Sequence, residues 1–269
     1  MNTGLAVLAI GFVLGMRHAT DPDHVIAVST IVSRERSILK AGLIGVLWGV
    51  GHTLTILAVG SCIILFGLVI PARVGLTMEL SVGLMLVLLG LLNLSGAIEW
   101  MSQKFSPAHP RVTGEHAHVH QHDAQVHLHW HAHAAGSEHH GESLTAPNWF
   151  PGAFARLGWY QSLRPLMIGI VHGLAGSAAV ALLVLSTIRD PRWAVLYLFL
   201  FGVGTIAGMM LITAVIALPF SFAGYRFGWL NKSLVTGSGL LSLGFGSVIC
   251  YQIGFVHGLF TGHPNWTPR

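Results

Sequence analysis

The sequence predicts an all-α polytopic membrane protein whose six transmembrane helices form two inverted three-helix repeats. Three observations support this fold class: the composition, the number of long apolar segments, and motifs that recur between the two halves. Of the 269 residues, 53% are hydrophobic and only 9% are charged, whereas soluble domains carry about 25% charged residues. With a mean hydropathy of +0.67, a chain of this length is expected to lie in a lipid bilayer.

Six apolar segments are long enough to cross a bilayer, which takes about 20 residues per helix. They cover residues 3–32, 41–70, 80–100, 162–188, 193–220 and 233–260. Three of them precede a long polar loop and three follow it. We therefore expect a first transmembrane repeat over 1–102, a loop over 103–161 and a second transmembrane repeat over 162–269.

Short motifs recur between the two halves at nearly constant offsets of 153 to 157 residues. The pairs are Gly15-x-x-His18 and Gly169-x-x-His172, Ser29-Thr30-Ile31 and Ser186-Thr187-Ile188, Gly49-Val50-Gly51 and Gly202-Val203-Gly204, and Gly83 to Gly90 and Gly239 to Gly246. Each match alone is weak, but their agreement indicates a duplicated unit. Because three spans is an odd number, the second copy must run in the opposite direction. Inverted repeats are typical of transporters, which bind substrate near the membrane midplane.

The loop over 103–161 is polar and contains eleven of the 17 histidines. Eight of them alternate with other residues in two runs: His116, His118, His120 and His122, then His127, His129, His131 and His133. Such a tract binds metal ions but cannot build a packed core, so we expect it to be disordered without metal. A metal-collecting or sensing role is favoured over the alternative, a solvated linker that binds metals without a defined purpose.

The distribution of Lys and Arg predicts the orientation in the membrane. Nine of these residues fall on the face with the His-rich loop, and four fall on the face with the termini. Cytoplasmic loops carry the excess of positive charge. We therefore expect a cytoplasmic loop and outside termini in a bacterial-type cell membrane. Without the long loop the ratio is five to four, so this orientation depends on basic residues at the ends of the loop.

The most unusual stretch is Arg17-His18-Ala19-Thr20-Asp21-Pro22-Asp23-His24, which lies inside the first apolar segment. Ionisable side chains cost a few kcal/mol each in hydrocarbon and normally face a protein interior or a water-filled path. Pro22 should bend or unwind the helix and release backbone groups. The alternative is a polar helix end at the membrane interface with Pro22 as a simple hinge. A site inside the membrane is favoured, because a helix that ended at this stretch would remove one full transmembrane span.

The bend should let His18, His24 and either Asp21 or Asp23 converge on one cation. In an unbroken helix the two histidines would point about 120° apart, because six residues advance the helix by about 600°. Arg17 is a permanent cation and is not expected to be a ligand. It is expected to pair with an intramembrane Asp or to hold positive charge when metal is absent.

Two further candidate ligands lie in the second and fourth predicted spans. His52, in Trp48-Gly-Val-Gly-His52-Thr53, is either part of the metal site or a hydrogen-bonded core histidine. His172 corresponds to His18 in the repeat and opens His172-Gly-Leu-Ala-Gly-Ser177, which fits a broken or tightly packed helix. Paired interruptions in the two halves point to a transporter's site. Three further polar residues are Thr53, Asn93 and Ser177. A role in lining the ion path and a role in helix packing explain each of them equally well.

These motifs resemble a known family. Arg17-His18-Ala-Thr-Asp21-Pro-Asp23-His24-Val is similar to the His-x4-Asp-His signature of the nickel/cobalt transporter family. Ser33-Arg-Glu-Arg-Ser37, Trp48-Gly-x-Gly-His52-Thr53 and His172-Gly-Leu-Ala-Gly-Ser177 resemble its shorter branch, often described as urease-accessory or high-affinity nickel permeases.

The resemblance covers nearly all six apolar segments but not the His-rich loop. It implies transport of Ni²⁺ or Co²⁺ with His18, Asp23 and His24 essential. The larger importers of that family have eight spans and a second, acidic signature, and this sequence has neither. An efflux branch of the family also carries a His-rich loop. Both directions of transport therefore stay open at this point.

The favoured function is uptake of a divalent transition metal, Ni²⁺ or Co²⁺, through the intramembrane His/Asp site. The first alternative is Ni²⁺ or Co²⁺ efflux with the loop as a cytosolic antenna. Alternatives of another class are a membrane metal sensor, a haem protein and a metalloenzyme, although the sequence contains no His-Glu-x-x-His motif. No prosthetic group and no nucleic-acid partner are expected. Candidate protein partners are a second copy of the chain and urease or hydrogenase maturation factors.

Overall fold

The computed structural model describes residues 2–68, 70–97, 116–122, 125–131, 162–175, 188, 190–226, 228–261 and 263–266. The helices within these residues are α1 (Asn2–His18), α2 (Pro22–Val32), α3 (Ile38–Phe66), α4 (Ala72–Leu94), α5 (Ser162–Ala175), α6 (Pro191–Arg226) and α7 (Gly228–Tyr251). A π-helical turn, Gln252–Val256, continues α7. Two strands, β1 (His116–His122) and β2 (Gln125–His131), lie between α4 and α5.

Four helical segments are long and apolar enough to cross a membrane: Ile38–Phe66, Ala72–Leu94, Pro191–Phe222 and Trp229–Val256. They coincide with the second, third, fifth and sixth apolar segments of the sequence. In place of a continuous first span the structure has two shorter apolar helices, α1 and α2. Of the fourth predicted span, α5 is described and residues 176–187 lie outside the described residues. The chain is a helical membrane protein.

The break between α1 and α2 lies at the proline. The amide of Thr20 donates to Arg17 O at 2.9 Å and the amide of Asp21 donates to His18 O at 3.1 Å, so α1 ends in tightened turns. Asp21 then adopts an extended backbone, with φ −59° and ψ 143°, and Pro22 begins α2. A proline has no amide hydrogen and forces the preceding residue out of helical geometry. The sequence prediction of an interruption here is confirmed.

The helices pack around α6, which contacts α1 and α3 along its length, while α4 packs along α7. The short helix α2 lies among α4, α6 and α7, and most of its residues are buried. Large apolar side chains cover the outer faces of the long helices: Leu54, Leu65, Phe66, Leu84, Leu88, Phe199, Leu211, Leu218 and Leu240 are all exposed. An apolar surface of this extent belongs in lipid.

Glycines allow the helices to approach closely. Gly15 of α1 lies against the carbonyl of Phe201 in α6, and Gly169 of α5 lies against the carbonyl of Trp48 in α3. A Cβ atom at either glycine would overlap these backbone atoms. Small residues at such crossings let membrane helices gain van der Waals contact that lipid cannot provide. This packing places the end of α1 and the middle of α5 beside the buried middle of α3.

A polar network around Asn93 joins α4 to the ends of α2 and α7. The Asn93 amide nitrogen donates to Val235 O at 3.0 Å and to Ser238 Oγ at 3.3 Å. Its amide oxygen accepts from Ser33 Oγ at 3.4 Å, and its carbonyl accepts from the Arg34 guanidinium at 3.1 Å. Asn93 is only 1% exposed. It therefore acts in helix packing and does not line the histidine cluster described below.

The structure differs from the expectation of a disordered loop over part of 103–161. Strands β1 and β2 form an antiparallel hairpin in which His116 pairs with His131, and the other paired histidine positions are His118 with His129 and His120 with His127. Histidines at every second residue have the two-residue period of a β-strand. This alternation, and not only the polar composition, therefore determines the local backbone. The remainder of the loop, including His133, lies outside the described residues.

Candidate metal centre

Five side chains with metal-ligand chemistry meet in the core of the helices. His18 comes from the end of α1, Asp23 and His24 come from the first turn of α2, His52 from α3 and His172 from α5. The three histidines His24, His52 and His172 are at most 2% exposed. The break between α1 and α2 positions this cluster, because it turns the end of one helix and the start of the next toward α3 and α5.

The first group of ligand atoms comes from His18, His24 and His52. One nitrogen from each ring lies within 4.8 Å of the other two. The Nε2 atoms of His18 and His52 are 3.1 Å apart. Two imidazole nitrogens that each bind one ion at about 2 Å lie roughly 3 Å from each other. This pair is therefore already spaced for a shared ion.

The second group comes from Asp23, His24 and His172, whose ligand atoms also lie within 4.8 Å of one another. Asp23 Oδ1 is 3.0 Å from His24 Nδ1, and Asp23 Oδ2 is 3.6 Å from His172 Nε2. The carboxylate thus supplies one oxygen toward each ring. His24 belongs to both groups.

Several buried nitrogens of the cluster have no hydrogen-bond partner among the residues that the structure describes. They are His24 Nε2, His52 Nδ1 and His172 Nε2. A buried polar atom without a partner costs about 1–3 kcal/mol, and buried polar groups in proteins are almost always satisfied. A divalent metal ion would be the missing partner, because neutral imidazole binds such ions through its free nitrogen. The residues present therefore fit a transition-metal ion.

Asp21 contacts the cluster from outside. Its Oδ2 atom lies 2.6 Å from His18 Nδ1, and its side chain is 46% exposed. Asp21 belongs to neither group of ligand atoms. A carboxylate on the far nitrogen of a metal-binding histidine fixes the ring's tautomer and orientation. With Nδ1 as the donor to Asp21, the lone pair of His18 Nε2 points to the cluster.

The chain is similar along its length to a protein with a recorded role. The urease accessory protein UreH of Bacillus sp. (strain TB-90) is 34% identical over 256 residues, which covers 95% of each of the two chains. This chain belongs to the UreH family. No protein-family model and no solved structure matches it.

In this member of the UreH family, two aromatic rings enclose the cluster. The Trp48 ring stacks on His24 with centroids 5.8 Å apart and planes 13° from parallel, and it lies 5.2 Å from His172. Phe201 lies 5.5 Å from His18. Neither aromatic residue was a candidate from the sequence. The signal for Trp48 was its spacing of four residues from His52, which places both on one face of a helix.

The other sequence candidates lie around or beyond the cluster. Thr53 Oγ1 donates to Gly202 O at 3.1 Å and so joins α3 to α6. Pro22 begins α2 and produces the break. Arg17 is exposed, and its expected pairing with Asp21 or Asp23 is not formed, because both carboxylates contact histidines instead. Ser177 lies outside the described residues.

Proposed function

We propose that this protein carries a divalent first-row transition metal, Ni²⁺ or Co²⁺, into the cell through the buried His/Asp cluster. The observation that carries the proposal is a set of imidazole nitrogens beside one carboxylate, inside a bundle of apolar helices, for which the described part of the chain supplies no hydrogen-bond partner. Ionisable groups at such a depth are expensive, and in membrane proteins they mark ion pathways.

The ligand chemistry restricts the metal but does not choose one. Imidazole nitrogen with one carboxylate oxygen suits nickel, cobalt, zinc and copper, and hard cations such as Mg²⁺ and Ca²⁺ prefer all-oxygen sites. Nickel is proposed because the motifs resemble the short, urease-accessory branch of the nickel/cobalt transporter family. Membership in the family of a urease accessory protein agrees with that choice.

Reciprocal helix contacts support two inverted repeats. If a two-fold axis relates the halves, each contact between a residue of one half and a residue of the other must occur again with the halves exchanged. Four glycine contacts recur in this way at the offsets found in the sequence. The pairs are Gly15–Phe201 and Gly169–Trp48, Gly51–Leu166 and Gly204–Phe12, Gly49–Ile206 and Gly202–Thr53, and Gly90–Gly239 and Gly246–Gly83.

The packing of whole helices agrees with this relation, since α3 packs on its counterpart α6 and α4 packs on its counterpart α7. With three predicted spans in each half, such an axis would have to lie in the membrane plane. Substrate sites of inverted-repeat transporters lie at the repeat interface near the midplane. The His/Asp cluster takes ligands from both halves and so fits that position.

Uptake is proposed on energetic grounds. A divalent cation that enters a cell held at about −100 mV gains roughly 4.6 kcal/mol. Export would have to overcome that energy, normally by coupling to protons through intramembrane carboxylates. In the cluster, Asp23 and Asp21 both contact histidines of the metal groups, so neither is available as a separate proton relay. We place the termini outside and the His-rich loop in the cytoplasm, where its histidines would receive metal after passage.

The experiment is uptake of radioactive nickel by cells that express the protein, with cobalt, zinc and copper as competitors. His18→Ala, Asp23→Asn and His24→Ala should each abolish uptake while the protein still inserts into the membrane. Thr77→Ala is the matched control, since Thr77 is exposed and bonds only within its own helix. Normal uptake by all three cluster variants would show that the ion passes elsewhere.

A further inference from the structure

The two groups of ligand atoms share one residue, and this sharing suggests more than a single binding position. His24 Nδ1 faces Asp23 Oδ1 at 3.0 Å, in the group that includes His172. The other nitrogen, His24 Nε2, has no hydrogen-bond partner within the described ranges. An imidazole can bind an ion through either nitrogen. His24 is therefore able to serve each group in turn.

The repeat gives the two groups a defined relation. His18 of the first group and His172 of the second are counterparts at an offset of 154. Their aromatic neighbours are counterparts as well: His18 contacts Phe201 at 5.5 Å, and His172 contacts Trp48 at 5.2 Å. An axis in the membrane plane exchanges the two faces of the membrane. If the axis of the proposed repeat passes between His18 and His172, these counterparts lie on opposite sides of the midplane, and the His24 ring contacts both, with centroids 4.8 Å from His18 and 4.7 Å from His172.

The remaining ligands are not duplicated. His52 corresponds to Thr205 at the offset of 153, and the Thr205 hydroxyl donates to Phe201 O within its own helix. The groups thus differ in chemistry: three imidazoles in the first, and two imidazoles with one carboxylate in the second. Two chemically different ion-binding positions on either side of a shared ligand form a path along which an ion can pass from one to the other.

We propose that the transported ion occupies the two groups in succession, and that His24 hands it from one to the other. The first position is His18, His24 and His52, and the second is Asp23, His24 and His172. This inference rests on the proposed transport function and adds two distinct ion positions that open to opposite faces. Conduction needs sites that bind well enough to admit an ion and weakly enough to release it, and two adjacent positions with a common ligand meet both needs.

The test uses the full-length protein in proteoliposomes of sorted orientation, with the eleven loop histidines, His257 and His263 replaced by Gln so that the cluster histidines are the only ones left to bind Ni²⁺. His52→Ala leaves the second group complete, His172→Ala leaves the first complete, and His24→Ala damages both. Thr205→Ala, at the counterpart of His52, is the matched control. Bound Ni²⁺ is counted, and EDTA, which does not cross the membrane, is applied from one face at a time.

His52→Ala and His172→Ala should each retain one Ni²⁺ per chain, and EDTA should remove it from opposite faces in the two variants. Net transport should fall in both by more than the roughly 10–100-fold that loss of an outer-shell partner causes. His24→Ala should lose binding and transport together. The Gln variants at the same positions replace any Ala variant that is not monodisperse.

Removal of Ni²⁺ from the same face in both variants would overturn the two-position proposal. It would also be overturned if either variant reached the normal maximum rate at high metal, since a single site with five ligands predicts only weaker binding. Absence of Ni²⁺ flux in the unaltered protein would instead contradict the proposed function. The two failures are therefore separable.

Discussion

Substitution of Asp21 tests most directly whether a residue of the cluster binds the metal ion itself or only positions a residue that does. Its carboxylate lies 2.6 Å from His18 Nδ1, and 46% of its side chain is exposed. A hydrogen bond with a charged partner contributes about 1.5–3 kcal/mol, and solvent screening favours the lower end here. Asp21→Ala should therefore weaken metal binding by about 1.5 kcal/mol, which is roughly tenfold in affinity.

Asp21→Asn keeps an oxygen that can accept from His18 Nδ1, so its effect should be smaller than that of Asp21→Ala. In radioactive nickel uptake, both variants should raise the metal concentration for half-maximal rate and keep the maximum rate. Asp190→Ala is the control, because Asp190 is an exposed acid at the start of α6. Loss of uptake that high metal does not restore would show that Asp21 is itself a ligand, and the positioning argument would be refuted.

Two other predictions concern packing and the loop. Asn93→Leu should lower the free energy of unfolding by about 2 kcal/mol, because it removes the side-chain bonds to Val235 O, Ser238 Oγ, Ser33 Oγ and Arg34 Nε, and bonds between membrane helices contribute about 0.6 kcal/mol each. Denaturation in detergent measures this, and an unchanged midpoint would contradict it. Deletion of residues Ala108 to Gly141 should leave uptake with a modest defect, because the membrane cluster is intact; complete loss of metal resistance with no uptake at any metal concentration would instead indicate export.

The break in the first span could be predicted because the effect of a proline is local. Pro22 determines the backbone of its own neighbours wherever it lies in a fold. His172 could be predicted beside His18 because Gly169-x-x-His172 repeats the motif Gly15-x-x-His18. The residues alone left open which carboxylate joins the cluster, although the family resemblance implied Asp23. In a continuous helix Asp21 lies three residues from both His18 and His24, and only the turn of the chain after the break points Asp23 inward instead.

The other features that could not be predicted depend on contacts between residues far apart in the sequence. Asn93 reaches Val235 across 142 residues of sequence, and no local pattern distinguishes that role from polar lining. The hairpin was missed because composition was given more weight than alternation. The roles of Trp48 and Phe201 depend on the crossing of α3 and α6 with the helices that carry the histidines. Each of these features depends on tertiary distances that a single sequence does not state.

The stacking of Trp48 on His24 has a practical consequence. If the proposed site is correct, the Trp48 indole, in ring contact with His24, is close enough for a bound paramagnetic ion such as Ni²⁺ or Co²⁺ to quench its fluorescence. The chain has eight tryptophans, so the difference between the native protein and Trp48→Phe isolates the emission of this one ring. Arrival and departure of the ion can thus be followed as a change in emitted light, without attaching a dye.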